Sequence, residues 1–240
     1  MEAMIFAAGL GTRLLDETAV KPKALVEVGG KTLLEHAIQK LSDAGVSKIV
    51  VNVHHFAALV SEFIESRKWK VPVLISDESD LLLETGGGLK KASPMFSGQE
   101  QILLYNVDVI SDVDLEILNK EHEQSRALAT LCVRDRKTRR YFKFNSEMQL
   151  VGWVNKKTGE TKISRSADFG NAKELAFSGI HIIQPELLNY LPEEDRFSIV
   201  KVYLELAKTK TIKGFFDKSD LWMDVGKPAE LLAARRKFKI

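Results

Sequence analysis

The chain contains one cysteine in 240 residues, Cys132, so an internal disulfide is excluded and the fold must rest on its core. That cysteine lies in the apolar run ALATLCV, which reads as a buried strand and fits a reducing, cytoplasmic compartment. Long hydrophobic runs are also missing. The opening MEAMIFAAGL is too short for a membrane span, and it carries Glu2 where a secretory leader carries positive charge, so it reads as a first strand. Neither sign of charge dominates. The 35 basic and 33 acidic side chains are mixed along the sequence and leave a formal net charge of +2, which excludes a nucleic-acid footprint. No repeat of fixed period is visible.

What remains is an ordinary globular composition, 45% apolar and 28% charged, long enough to bury roughly 70–75% of its unfolded surface. Short β-branched runs alternate with stretches of helical period: MIFAA, KTLLEHAIQKLSDAG, KIVVNV, FAALVSEFIESRK, VPVLIS, TGGGLKKA, ILLYNV, DLEILNKEHEQ, ALATLCV. Over 32–44, Leu34, Ala37, Ile38 and Leu41 share one face, Thr32 suits the start and Gly45 the end. This alternation predicts an α/β fold, a mixed and mainly parallel sheet flanked by helices, with ligands at the carboxyl ends of its strands. After about residue 135 the rhythm changes. YFKFN and LVGWV read as a hairpin followed by a polar stretch, so a single domain over 1–240 with an inserted lobe or flap at about 136–175 is expected.

The loop after the first strand, AAGLGTRLLDETAVKPKAL, has glycines without a familiar fingerprint: the third glycine of GxGxxG would fall at Leu14, and no Gly-Lys-Ser/Thr follows at Walker spacing. As a physical object it still suits polyphosphate. Gly9 and Gly11 free backbone amides, Arg13 offers a planar fork of donors, and Lys21 and Lys23 flank Pro22, which restricts their geometry. Asp108 ends the strand ILLYNV, where a carboxylate facing phosphates holds Mg²⁺. Asp112 is a weaker ligand candidate, and Asp114 belongs to the first turn of the next helix. In LWMDVGKPAEL, Asp224 either completes the metal site or serves the helix start at Pro228. In LLLETGGGLKKA, three glycines at a helix entrance suggest close approach of a ligand, with Glu84 and Thr85 placed to bind sugar hydroxyls. Lys201, on a predicted helix, is placed to reach a sugar phosphate.

These elements, in this order, resemble the sugar-1-phosphate nucleotidyltransferases, whose signature reads roughly (L/A)-A-(A/G)-G-x-G-T-R-L-x-P-L-T-x-x-x-P-K-P. Ala7, Ala8, Gly9, Gly11, Thr12, Arg13, Leu14, Thr18, Pro22 and Lys23 match it. Asn106-Val107-Asp108 resembles the family's N-G-D metal motif, Trp222, Asp224, Val225 and Gly226 its W-x-D-(V/I)-G, and Gly179-Ile180 its sugar-side strand. The resemblance implies that Arg13 and Lys23 are catalytic and that Ala7, Ala8, Gly9, Gly11, Thr12, Arg13 and Lys23 bind the nucleotide, with Glu78 at the base. It further implies that Glu84, Gly86 and Gly179 face the sugar, beside Thr85 and Lys201 read above from the residues themselves, and that Asp108 and Asp224 hold Mg²⁺. The substrates it implies are a nucleoside triphosphate and a sugar-1-phosphate. The E-T-G-G-G sequence, FSGI and the short chain point to the N-acetylmuramate-1-phosphate uridylyltransferases, hence to UTP; mannose- and glucose-1-phosphate enzymes using GTP or another triphosphate share most of the frame. A monomer or small homo-oligomer is expected, with no nucleic-acid or membrane partner. A nucleotide-sugar sensor without activity and a metal-dependent glycosyltransferase are the readings from other classes.

The sequence departs from this pattern at Asp16-Glu17, where the family has P-L, and at Ala24, where it has a second proline. The family's E-K-P motif is not evident; only Asn155, Lys156 and Lys157 stand roughly there. Arg139, Lys162 and Arg165 on the polar flap either contact substrate phosphate or are solvated, with solvation the favoured reading, and His54 and His55 read as packing or surface residues.

Overall fold

A computed structural model describes residues 1–11, 14, 18 and 21–238. Strand β1 (Glu2–Phe6) leads through the loop to two short strands, β2 (Glu27–Val28) and β3 (Lys31–Thr32), then to α1 (Leu33–Asp43), β4 (Ile49–Val53), α2 (Ala57–Glu65) and β5 (Val73–Asp77). Next come α3 (Glu84–Ala92), β6 (Ile102–Asn106), β7 (Val109–Ser111), α4 (Leu115–Ser125) and β8 (Ala129–Arg134). The strands β9 (Arg140–Phe144), β10 (Leu150–Asn155) and β11 (Thr161–Ile163) precede α5 (Ser166–Phe169) and the long β12 (Lys173–Ile183). The chain continues with α6 (Ile199–Leu206), β13 (Ile212–Phe216), β14 (Trp222–Asp224) and α7 (Pro228–Lys237).

The main sheet runs β11-β10-β9-β12-β6-β1-β4-β5, with β8 beside β12 and β13 beyond it. Its centre, β6-β1-β4-β5, is parallel, and β12 lies antiparallel to β6. The expected mixed sheet forms with a parallel core, while the strands outside that core pair mostly antiparallel. Strands β1, β4 and β6 are buried on both faces, as a sheet covered by helices requires. Ala3 and Ile5 pack against α1, α4 and α7 on one side, while Met4 and Phe6 pack against α3 and α6 on the other. The alternation along β1 thus divides the core into two layers. The segment 140–163 adds the antiparallel strands β9, β10 and β11 to the sheet through pairing of β9 with β12.

Local chemistry sets the helix ends. Thr32 and Glu35 form a reciprocal capping box on α1, and Gly45 follows its end at φ +76°. Asp114 caps α4, accepting the amides of Glu116 and Ile117 at 2.9 Å each. Cys132 is fully buried in β8, and burial pushes its thiol up to about 12, so it is inert packing. Among the described residues, no helix is long and apolar enough to cross a membrane.

Candidate active site

Strand order dictates where a site can form. From β1 the chain moves to β4 and β5 on one side, then returns to β6 on the other, so the crevice between β1 and β6 is the topological switch point. The glycine-lysine loop leaves β1 there, and Asp108 leaves β6 there.

Phe6, the last residue of β1, is in register with Asn52 on one side and Asn106 on the other. Asn52 is buried and its Oδ1 accepts the amides of Ala7, at 2.8 Å, and Ala8, at 3.4 Å. Its Nδ2 donates to Glu78 Oε1 at 2.7 Å, and Glu78 is fully buried. Burial holds the Glu78 carboxyl above the usual carboxylate range, against the opposing pull of its bonds to Asn52 and Leu83. In this structure Glu78 therefore supports the first turn of the loop through Asn52, where the resemblance implied contact with a base. Asn52 escaped the sequence reading; a polar residue within the apolar run IVVNV was the available signal.

Gly11 takes φ +67°, and Thr18 Oγ1 donates to its carbonyl at 2.9 Å. A Cβ on Gly11 would meet Thr18 at 3.0 Å, whereas one on Gly9 would meet nothing within 4 Å. Gly9 therefore faces open space above the loop. Thr12, Arg13, Asp16 and Glu17 lie outside the described residues. Pro22, at φ −66° and ψ 149°, leads into a 3-10 turn over Lys23–Leu25 that turns Lys23 inward. Lys23 is 8% exposed, and its Nζ pairs with Asp108 Oδ2.

The second aspartate arrives by non-local pairing. Strand β14 pairs antiparallel with β7, setting Asp224 opposite Val109, and the Val225 amide donates to the Asp108 carbonyl at 2.8 Å. Asp112 clamps the other end of this ribbon, accepting the Leu221 amide at 2.9 Å, so its role is structural. Trp222 Nε1 donates to the Ser178 carbonyl at 2.9 Å, and Arg136 Nη2 donates to the neighbouring Phe177 carbonyl at 2.9 Å. Gly179, at φ +77°, follows directly; a Cβ there would stand 2.8 Å from Asn106 Nδ2. Asn106, Asp108, Gly179, Trp222 and Asp224 are thus assembled around the end of β6, with Lys23 above.

The triple glycine has a different cause from the one read in the sequence. A Cβ on Gly86 would meet the Phe197 ring at 2.3 Å, one on Gly87 the Asp195 carbonyl at 1.9 Å, and one on Gly88 the Glu78 carboxylate at 2.6 Å. The close approach comes from the protein's own segment, and the amides of Gly86 and Gly87 donate to the Phe197 carbonyl. Thr85 Oγ1 likewise accepts the Ile199 amide at 3.1 Å, tying α3 to the start of α6. Glu84 stands at φ +62°, uncommon for a residue with a Cβ, and pairs with Arg196 at 3.3 Å. Lys201 is exposed on α6.

Other residues noted in the sequence serve structure. His54 contacts the Glu78 carbonyl through Nδ1 at 2.6 Å, and His55 packs on Phe56. Asn155 Oδ1 accepts the Lys157 amide and Lys156 pairs with Glu174, so this stretch shapes the β10–β11 turn. Arg165, expected to be solvated, donates to the carbonyls of Ala207 and Lys210 and anchors the segment after β11 to the end of α6. Arg139 lines a cavity beside Asp224.

Among the described residues no three His, Cys, Asp or Glu side chains gather as a metal cage. Two aspartates on backbone segments bonded to one another at the switch point are nonetheless of the kind that fits Mg²⁺, which takes one or two carboxylates and completes its shell with water and substrate oxygens. Their donors are hard carboxylate oxygens, the type that ion prefers.

A glycine-containing loop and an inward lysine at the switch point, with two aspartates on adjacent strand ends, are the described features of the site. The chain belongs to the nucleotidyl transferase family, whose model matches residues 2–239, and its class is sugar-1-phosphate nucleotidyltransferase. It is 35% identical to the N-acetylmuramate alpha-1-phosphate uridylyltransferase of Caulobacter vibrioides, over 98% of this chain and 96% of that one. It is 28% identical to the mannose-1-phosphate guanyltransferase of Yarrowia lipolytica, over 97% of this chain and 62% of that longer protein. Among solved structures, HddC from Yersinia pseudotuberculosis superposes with a TM-score of 0.78 at 22% identity, covering 99% of each chain, which shows a shared fold.

Proposed function

We propose that this enzyme transfers a uridylyl group from UTP to N-acetylmuramate 1-phosphate, giving the nucleotide sugar and pyrophosphate. One observation carries the reaction: Lys23 and Asp108 meet at the switch point directly beside Asp224. The choice of sugar and base rests on the 35% identity to the Caulobacter vibrioides enzyme over nearly the full length of both chains.

In this reading a 1-phosphate oxygen attacks the α-phosphorus of the triphosphate. The bond from that phosphorus to its bridging oxygen breaks, and the electron pair leaves on pyrophosphate. The attacking oxygen is already an anion, so no general base is needed, and the residues act by placing and neutralising charge. The amides of Gly9 and Gly11, past the turn that Asn52 fixes at Ala7 and Ala8, receive phosphate oxygens; Arg13 and Lys21 add charge on the triphosphate; and Lys23 stands at the reacting phosphoryl group. Gly179 lets β12 come close against Asn106 at the end of β6, and Glu84 at the start of α3 is placed for the sugar's hydroxyls. Asp108 and Asp224 would hold Mg²⁺, which supplies electrophilic stabilisation of phosphoryl charge when bound. The setting is cytoplasmic.

The test is a matrix of UTP, GTP, CTP and dTTP against N-acetylmuramate, N-acetylglucosamine, glucose and mannose 1-phosphates, read by pyrophosphate release. The reading expects the highest kcat/KM for UTP with the muramate. A higher value for GTP with mannose 1-phosphate overturns the choice of substrates, and no release with any pair overturns the activity.

A further inference from the structure

Beside Asp224 lies a cavity of about 760 Å³ between the 136–140 segment, β14 and the start of α7. Its walls carry five basic side chains, Arg136, Lys137, Arg139, Arg140 and Lys227, against two acidic ones, Asp224 and Glu230. In a chain whose net charge is only +2, this concentration is local and directional. Lys23, which pairs with Asp108, is not among these basic side chains.

Arg136 is built in rather than solvated. Its guanidinium lies 4.1 Å above the Trp222 ring, Nη2 is fixed on the Phe177 carbonyl, and Nε is buried without a hydrogen-bond partner. Trp222 is itself pinned to Ser178, so the stack is held by β12 at the residues just before Gly179. Burial lowers the guanidinium's pKa, while the charge of Asp224 acts in the other direction. The Arg136 side chain thus lines the cavity with its charge held in one orientation, and Arg139 and Arg140 stand exposed on the same wall with donors available to an anion.

We infer that this basic cavity is a subsite for an anionic substituent on the sugar, separate from its 1-phosphate, and that Arg136, Arg139 and Arg140 select acidic over neutral sugar-1-phosphates. The inference rests on the nucleotidyltransferase reading above and deepens it. N-Acetylmuramate differs from N-acetylglucosamine by a lactyl ether bearing a carboxylate, which makes the pair a direct probe. A sugar bisphosphate presents the same charge as phosphate.

The experiment compares kcat/KM for N-acetylmuramate 1-phosphate, N-acetylglucosamine 1-phosphate and glucose 1,6-bisphosphate, with UTP fixed, in the wild type, in the double variant Arg139→Gln/Arg140→Gln and in Arg136→Gln. The ratio of acidic to neutral sugar is independent of how much of a variant folds. The inference expects the muramate-to-glucosamine ratio to fall roughly 10–100-fold in the double variant and to shrink with added salt in the wild type. A bisphosphate preferred over both sugars assigns the anion as phosphate, and the muramate preferred assigns it as carboxylate; either supports the subsite. A ratio that stays constant across the variants, or a loss confined to the KM for UTP, overturns it. Absence of pyrophosphate release from the wild type with any sugar falls on the activity instead; calorimetric titration of free N-acetylmuramate into wild type and double variant then decides, with equal binding overturning the subsite.

Discussion

Lys23 and Asp108 stand 85 residues apart in sequence, yet they form one ion pair at the joint of β1 and β6, with the lysine side chain 9% and the aspartate side chain 21% exposed. Such a pair is not a surface ornament. Its lysine is buried, and its aspartate shares a strand end with the ribbon that brings Asp224. We expect Lys23→Met and Asp108→Asn each to destabilise the fold, and the double variant to lose less than their sum, with a coupling of about 1–2 kcal/mol in urea denaturation. Lys23→Met also lowers kcat by about 10²–10³-fold, as removal of a preorganised charge at a reacting phosphoryl group does. Strict additivity of the stability effects would show that the two groups do not sense one another.

The glycines divide into two kinds. Gly87→Ala drives a methyl to within 1.9 Å of the Asp195 carbonyl and is expected to cost about 2–3 kcal/mol in thermal or chemical unfolding. Gly9→Ala meets nothing within 4 Å, so its stability changes by less than about 0.5 kcal/mol while its KM for the triphosphate rises. Equal stability losses at the two positions would contradict this division.

Glu84 is held in the left-handed region, where a Cβ costs roughly 1–2 kcal/mol and where glycine is free of strain. Its exposed pair with Arg196 offsets at most about 1 kcal/mol of that. Glu84→Gly should therefore leave the fold as stable as wild type or more so, and should raise the KM for the sugar-1-phosphate without moving that for the nucleotide. A clear loss of stability would mean that the backbone there is not strained.

Glu78 gives a pH signature. Its folded pKa is raised by burial, so the neutral form favours folding: its contribution is fully present at acid pH and is lost as pH rises through the folded pKa. Glu78→Gln keeps an acceptor for Asn52 and removes the buried charge. Relative to wild type it should gain stability as pH rises from 4 to 8 and show no gain at the acid end, measured as denaturant midpoints across that range. A variant less stable at every pH would show that the charge itself is needed.

Much of this was legible in the sequence where the cause is local. Periodicity marked the helices and strands, the Thr32 cap and Gly45 end of α1 were visible as residues, and Asp108 at a strand end needed only the α/β rule. Non-local causes were not legible. Nothing in LWMDV says that it pairs with β7 rather than joining the main sheet, yet that pairing is what carries Asp224 to Asp108. The three glycines signalled close approach correctly, but whether a ligand or the 195–197 segment does the approaching is decided only by packing. Arg165 looks like any polar-loop arginine until the end of α6 is seen beside it.

The most direct test of the central claim is phosphorus NMR of wild-type enzyme with UTP, N-acetylmuramate 1-phosphate and Mg²⁺. The account predicts that the sugar phosphate resonance disappears as a coupled diphosphate pair and inorganic pyrophosphate appear in equal amounts, and that chelation of the metal stops all three changes together. Release of UDP and orthophosphate with the sugar phosphate untouched, or turnover that survives chelation, would contradict it.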